Sequence, residues 1–529
     1  MPVQEFKVAQ RDDLAPGEMQ QIKAGDTEIL LARHQDEFYA TAAHCTHYGA
    51  PLAEGALNGK RVVCPWHHAC FDVSTGKQME PPGCDSLPSF KVSLRDNDIY
   101  VKVPDDSPAM RMVDMQKPDA ANKDLYVIIG GGAAGQYAAE ALRAEGYRGR
   151  IMIISKDKDY PYDRVNCSKE YLQGEAPEEW MPLRDPGFYE TYGIELKMET
   201  TVSVLDADAQ MIRLETGEQL QYDKVLICTG GAVIKPDIEG ASLDNIYTLR
   251  SQEDSSHIQK AGKQANKVVV MGSSFIGMEG AWSLAKLGCK VTVVSPEELP
   301  FAEKWGREVG EMFKELHEEN GIEFRLGRKV SRFTGDKQVG QVELDNGDTL
   351  DADLVLVGIG VKPTTDFVKG LPLAADGGIR VDANLYAGKQ VYAAGDVAHF
   401  PYKSEDARIE HWRLACQHGR LAGENMSGKA KPYESVPFFW TAQHGLQIRY
   451  VGYTPDYDRM LVDGDIKQRK FIAYYIKDGM VKAALGIGRD KEMAALNELI
   501  RMDRVPPVKD LEKHQIDLVQ HLRALNGIV

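Results

Sequence analysis

The sequence predicts a multidomain chain: a small all-β domain, two α/β units with parallel sheets, and a closing α+β domain. Three observations carry that reading. Residues 1 to about 103 run in short alternating segments such as "RVVCPWH", "FKVSL" and "DIYVKV", punctuated by Gly, Pro, Asn and Asp, the texture of short half-buried strands. From Leu125 the pattern becomes strand, glycine turn, Ala-rich helix and strand in "LYVIIGGGAAGQYAAEALRAEGYRGRIMIIS", and a similar unit recurs at "KVVVMGSSFIGMEGAWSLAKLGCKVTVVS". Beyond about residue 431 alternation returns in "LQIRYVGY" and "RKFIAYYIK", before a helical "DKEMAALNELIRM".

A chain of 529 residues is long enough for three or four cores, each stable alone. The expected boundaries are an all-β domain over 1–107, a linker over 108–123, a first α/β unit over 124–242, a second over 243–363, a return to the first over 364–430, and the closing domain over 431–529. The linker is read from Pro and charge without apolar periodicity in "PDDSPAMRMVDMQKPDAANKD". Apolar residues make up 43% and charged residues 27%, the balance of a globular protein. No apolar run reaches bilayer length and "MPVQEFKVAQRDD" lacks the features of a signal peptide, so no membrane span and a cytoplasmic location are expected. A formal charge of −16 argues against a nucleic-acid partner, because such binding neutralises phosphates with Lys and Arg.

Cysteine placement supplies the first chemical signal. Of eight cysteines, Cys45, Cys64, Cys70 and Cys84 fall in the first hundred residues, which in a reducing compartment suggests metal before disulfide. Cys45 and His47 are followed, after 16 residues, by Cys64 and His67. Zinc sites use the same residue types, so ligand identity alone leaves the metal open. The spacing, with "CPWH" and "FD" close behind, resembles the Rieske ferredoxin family, in which two Cys hold one iron and two His the other. Ala50 and Trp66 stand where high-potential members carry a disulfide pair, and Ala69 where they carry a hydrogen-bonding Ser; both departures imply a lower-potential 2Fe-2S cluster. His68 departs from the common "CPWHG". Cys70 and Cys84 read as free buried thiols.

Gly130, Gly132 and Gly135 form GxGxxG between a strand and a helix, the context in which a tight turn brings a helix N-terminus to a pyrophosphate. The acid expected for the ribose is not obvious, since the strand ends at Ser155 and Asp157 follows. In the second unit Gly272 and Gly277 are kept while Ser273 and Ser274 replace the middle glycine. Its strand ends at Ser295 and continues to Glu297 and Glu298, which would repel a 2′-phosphate and favour NADH over NADPH. With "LICTGG" and "YAAGDVAHF", these blocks identify two Rossmann-like folds, one for FAD and one for NAD.

Residues 125–529 resemble FAD-dependent ferredoxin reductases of the oxygenase-coupled type, and the whole chain resembles the Rieske-containing apoptosis-inducing-factor-3-like group. That resemblance implies Arg164 and Lys169 near the flavin, Val202 and Thr229 on the nucleotide half of FAD, Arg250 and Asp396 on FAD, and Glu279 near the nicotinamide. It puts Trp412 and Trp440 at the isoalloxazine and extends the cofactor-binding set to Ala134, Gly230, Gly395, Ile276 and Gly360. Lys169, Glu279 and Trp440 are the flavin-proximal residues, and no side chain need act as a proton-transfer catalyst. The implied activity is an NADH-dependent FAD oxidoreductase passing single electrons to the cluster and on to an external acceptor protein or small molecule, as a possible homodimer. Two rivals remain open: a single-cysteine NADH oxidase or thiol reductase using Cys167, and a redox-gated binding protein of the apoptosis-inducing-factor type.

Overall fold

The computed structural model, which describes residues 2–527, resolves the alternation of the first hundred residues into two antiparallel sheets. The larger orders its strands Val3–Gln10, Asp98–Pro104, Ser89–Arg95, Glu37–Ala42, Thr27–His34 and Met19–Ala24. The smaller runs Ala56–Asn58, Arg61–Val63, Cys70–Asp72 and Gln78–Glu80. Leu30, Leu52, Val62, Phe71 and Leu87 form a buried cluster that also takes in Cys45 and Cys64.

The chain divides into two units. One takes the chain up to Asp114, Glu434–Trp440 and everything from Ile448 onward; the other takes Met115–Tyr433 and Thr441–Gln447. The front and closing domains therefore share one unit. In it, helix Asp490–Arg501 packs on strand Ala56–Asn58, and the contact is electrostatic. The Glu498 side chain is fully buried and accepts from Asn58 Nδ2 at 2.7 Å, Arg61 Nε at 2.9 Å and Arg501 Nη2 at 2.8 Å. Burial alone would raise its pKa, yet the Arg61 and Arg501 charges hold it below the ordinary 4.5.

Each end of the expected linker is hydrogen-bonded within its own unit. Ser86 and Arg111 exchange backbone hydrogen bonds of 2.9 and 2.7 Å within the first unit. In the second, the Gln116 and Asp119 N–H groups donate to the Arg143 and Arg148 carbonyls.

The second unit holds two parallel sheets. The first orders Ile194–Lys197, Arg150–Ile154, Leu125–Ile129, Lys224–Ile227 and Val391–Ala393, with Tyr386–Gly388 antiparallel at the edge. Leu125–Ile129 is buried throughout, as a strand covered on both faces must be. Because Val391–Ala393 follows the second α/β unit in sequence, the first is assembled from segments on either side of it. The second sheet orders Ile246–Thr248, Leu354–Val357, Lys267–Met271, Lys290–Ser295 and Glu323–Leu326.

Small residues let two helices of the first α/β unit approach closely. A Cβ on Gly419, in helix Trp412–Met426, would stand 2.1 Å from the Ala134 carbonyl oxygen, and one on Gly423 would stand 2.5 Å from that of Ala138. Among the described residues no helix is long and apolar enough to cross a membrane.

Replacing Glu498 with Ala leaves Arg61 and Arg501 without their buried carboxylate. The expected loss is about 3 kcal/mol or more, read as a lower urea midpoint for the unit that holds the closing domain. Because the folded-state pKa of Glu498 is depressed, its stabilisation is complete above about pH 4.5 and disappears as pH falls through the lowered value. The wild-type and Glu498→Ala midpoints should therefore converge on acidification.

Candidate functional site

Two loops of the front domain carry the candidate ligands, and they are built alike. The Cys45 N–H donates to Ala50 O at 2.9 Å, and its carbonyl accepts from the Gly49 N–H at 3.0 Å. The Cys64 N–H donates to Ala69 O at 2.8 Å, and its carbonyl accepts from the His68 N–H at 3.2 Å. Gly49 and His68 occupy the same position in the two turns, with φ of +73° and +56°. A left-handed φ costs a non-glycine residue about 1 kcal/mol, which is why Gly is the ordinary choice. His68 instead places a buried ring 4.0 Å from that of Phe438, stacked at 30°.

The two loops bring like ligands together. The thiols of Cys45 and Cys64 are close enough to shift each other's ionisation, and the Nδ1 atoms of His47 and His67 lie 3.0 Å apart. Among the described residues no three His, Cys, Asp or Glu side chains gather about one point. A thiol pair beside an imidazole pair is the donor set for two bridged iron atoms with different ligands, so these residues fit a 2Fe-2S cluster. The Cys64 thiol, followed by burial, holds the Cys45 thiol well above its ordinary range. Burial would raise Cys64 as well, yet it is lowered, by its partner thiol, by the backbone N–H groups of His67 and Trp66 and by the Arg449 charge. Burial pushes His47 down to about 3, leaving a neutral imidazole. Cys70 lies outside this set: its Sγ accepts from Arg61 Nη2 at 3.0 Å and donates to the His68 carbonyl. Trp440, expected at a flavin, lies 4.3 Å from the His67 ring and 6.2 Å from that of His47.

In the second unit the first glycine turn leaves a helix start open. Gly130 has φ +125°, and a Cβ there would stand 2.3 Å from the Cys228 carbonyl oxygen. A Cβ on Gly135 would meet the Gly130 oxygen at 2.1 Å, whereas one on Gly132 would meet nothing within 4 Å. No side chain caps helix Ala133–Ala144 at Gly132, so its first N–H groups face that space and fit a pyrophosphate. Around it, Arg164 pairs with Asp157 at 3.1 Å and donates to the Arg250 carbonyl. Arg250 pairs with Asp396 at 2.8 Å. A Cβ on Gly230 would lie 3.1 Å from Arg250 Nη2, and one on Gly395 would lie 3.6 Å from Ala134 Cβ. Thr229 Oγ1 donates to the Thr364 carbonyl at 2.6 Å. Trp412 opens the helix Trp412–Met426 and is half-buried. Val202 belongs to the core beneath the sheet, with Ile129, Ile154 and Ile212.

The second turn repeats the geometry with serines. A Cβ on Gly272 would stand 2.5 Å from Gly358 O, and one on Gly277 would stand 2.3 Å from Gly272 O. Ser273 Oγ is 2.8 Å from Ser295 Oγ, and Ser274 Oγ donates to Gly358 O at 2.8 Å. Both hydroxyls are thus held by the protein, and the start of helix Phe275–Lys286, with Ile276 partly exposed, carries no side-chain cap. Ser295 Oγ donates to the exposed Glu297. Gly360 closes a nearby turn at φ +112°.

Between these turns lies a buried hydrogen-bond chain that the sequence did not reveal beyond its first two members. Lys169 Nζ pairs with Glu279 Oε2 at 2.7 Å, and Ser168 Oγ donates to the same oxygen at 2.5 Å. Thr441 Oγ1 donates to Glu279 Oε1 at 2.5 Å and accepts from Gln443 Nε2 at 3.2 Å. The Gln443 oxygen is left to accept from His317 Nε2 at 2.7 Å, and His317 Nδ1 accepts from His444 Nε2 at 3.2 Å. Burial pushes His317 to about 3 and His444 to about 4, so both rings are neutral and every bond in the chain points toward Glu279. Thr and Gln at alternate positions of strand Phe438–Gln443 would have been the only sequence signal.

Cys167 sits beside Arg164 and Ser168 but is buried, and burial first, then Asp163 and Asp254, push its thiol up to about 12. A protonated thiol is a poor nucleophile, which weighs against the thiol route.

Comparison with known proteins matches this architecture. Residues 125–419 match the pyridine nucleotide-disulphide oxidoreductase model, 4–91 the Rieske [2Fe-2S] domain and 438–522 the reductase C-terminal domain. Apoptosis-inducing factor 3 of Homo sapiens is 33% identical over 96% of this chain and 86% of its own length. The ferredoxin–NAD(+) reductase component of the anthranilate 1,2-dioxygenase system of Burkholderia cepacia is 31% identical over 75% of this chain and 98% of its own. The crystal structure of the covalent putidaredoxin reductase–putidaredoxin complex superposes with a TM-score of 0.72 at 28% identity, covering 77% of this chain and all of its counterpart. This chain therefore belongs to the pyridine nucleotide-disulphide oxidoreductase family, with a Rieske [2Fe-2S] domain at its front and a reductase C-terminal domain at its end.

Proposed function

We propose that this chain is an NADH-dependent reductase in which electrons pass from the nicotinamide through FAD to the Rieske centre, and from there to an external one-electron acceptor. The carrying observation is a pocket sorted into a thiol pair and an imidazole pair, in a chain that also presents two open helix starts behind glycine turns. Bound together, flavin and cluster convert a two-electron hydride donor into a source of single electrons. The solved complex of a similar reductase with putidaredoxin supports a small redox protein as acceptor.

The residues' own work is binding and electrostatics. Cys45 and Cys64 would hold one iron, and His47 and His67 the other. The helix start at Gly132 and the Arg250–Asp396 pair would hold FAD, with Asp157 fixed by Arg164 at the far end of its strand. At the second turn the exposed Glu297 would accept from ribose hydroxyls and oppose a 2′-phosphate, with the buried Ser295 Oγ donating to it. Glu279 accepts from Ser168, Lys169 and Thr441, and so holds the Lys169 side chain in place.

Three measurements test this reading. Under anaerobic stopped-flow, NADH should bleach the flavin absorbance before the reduced-cluster paramagnetic signal rises; a cluster that stays oxidised while the flavin is reduced refutes the relay. Glu297→Arg should move the NADH-to-NADPH ratio of kcat/KM toward NADPH by about tenfold or more, since each tenfold needs only about 1.4 kcal/mol. Thr441→Val removes a hydrogen bond to a buried carboxylate, worth about 1.5–3 kcal/mol. Ferricyanide reduction by that variant should fall about tenfold, while Thr441→Ser retains it.

A further inference from the structure

The two ligand loops are alike in backbone, but the second is also gripped from the closing domain. Arg449 lies on strand Leu446–Gly452, is 3% exposed, and directs its Nε–H at both the Pro65 and Trp66 carbonyls, at 2.9 and 3.0 Å. These carbonyls lie between Cys64 and His67. Its Nη1 stands 2.7 Å from Asp490 Oδ1, a close charge pair rather than an aligned hydrogen bond, since that nitrogen has no partner by hydrogen-bond geometry. The first loop, by contrast, is braced from the front domain by Thr46 Oγ1 donating to the Asp85 carbonyl and by His44 Nδ1 at 3.0 Å from the Gly49 carbonyl oxygen.

We infer that Arg449 is a positioning residue through which the closing domain sets the reduction potential of the centre held by Cys45, His47, Cys64 and His67; this rests on the ligand assignment proposed above. A buried guanidinium is a fixed positive charge in a medium that screens poorly. One electron added to the centre makes it more negative, so the nearby cation favours the reduced form, while Asp490, across the guanidinium, opposes it. Nearby charge and hydrogen bonding are the levers by which a protein tunes an iron–sulfur potential. The front domain alone would lack this charge, because Arg449 lies 384 positions from Pro65 in sequence.

The test is a redox titration of full-length protein followed by the paramagnetic signal of the reduced cluster, with iron and acid-labile sulfide measured on each sample. Arg449→Met should lower the reduced-to-oxidised ratio at fixed poise at least tenfold, equivalent to 59 mV for a one-electron couple. Asp490→Asn should shift it in the opposite direction. Arg449→Lys, which keeps the charge but loses the shared carbonyl contact, should stay close to wild type in potential while broadening the signal. Full cluster content with an unmoved potential in Arg449→Met, or a downward shift in Asp490→Asn, would overturn the inference. A wild-type protein without acid-labile sulfide would instead overturn the ligand assignment beneath it.

Discussion

A carboxylate without access to water must be given cations, and Glu498 receives them from both ends of the chain. Arg61 comes from the front domain, Arg501 from the turn that follows Glu498 on its own helix, and Asn58 completes the shell. Removing one partner from such a group costs far more than the group's net contribution to stability, so the contact specifies one docking of the first domain on the last. The ligand loops inherit their surroundings from that docking: Phe438 stacks on His68, Trp440 lies against His67, and Arg449 holds the Pro65 and Trp66 carbonyls. A front domain swinging on a loose tether would have none of these neighbours.

The second unit answers the same electrostatic demand differently. Glu279 is 3% exposed and has one cation, Lys169, so hydroxyls from Ser168 and Thr441 complete its shell. Gln443 and the neutral rings of His317 and His444 then line up behind Thr441 with all donors pointing one way. Bonds that share a direction polarise one another, which suits the chain to stabilising one charge. An amide in the middle makes it a poor path for protons, in keeping with a reaction whose redox work belongs to cofactors.

His68 illustrates how a departure from a motif acquires a reason. In sequence it stands where glycine is common, and nothing nearby accounts for it. The left-handed backbone at that turn disfavours any side chain, yet the ring finds a buried stacking partner on the closing domain. A local cost is offset by a distant contact.

The sequence by itself determined the parts whose physics is local. Strand-turn-helix units, the glycines a tight turn requires, and the spacing of Cys45, His47, Cys64 and His67 all concern residues within a few positions of one another, or two turns built to one plan. Only the tertiary structure decided which buried polar groups meet: Arg61 with Glu498 across 437 positions, Arg449 with the Pro65 carbonyl across 384, Lys169 with Glu279 across 110. An isolated Glu, Arg or Gln in a helix or strand carries no mark of its partner, because desolvation makes the pairing obligatory only after the chain has closed around it.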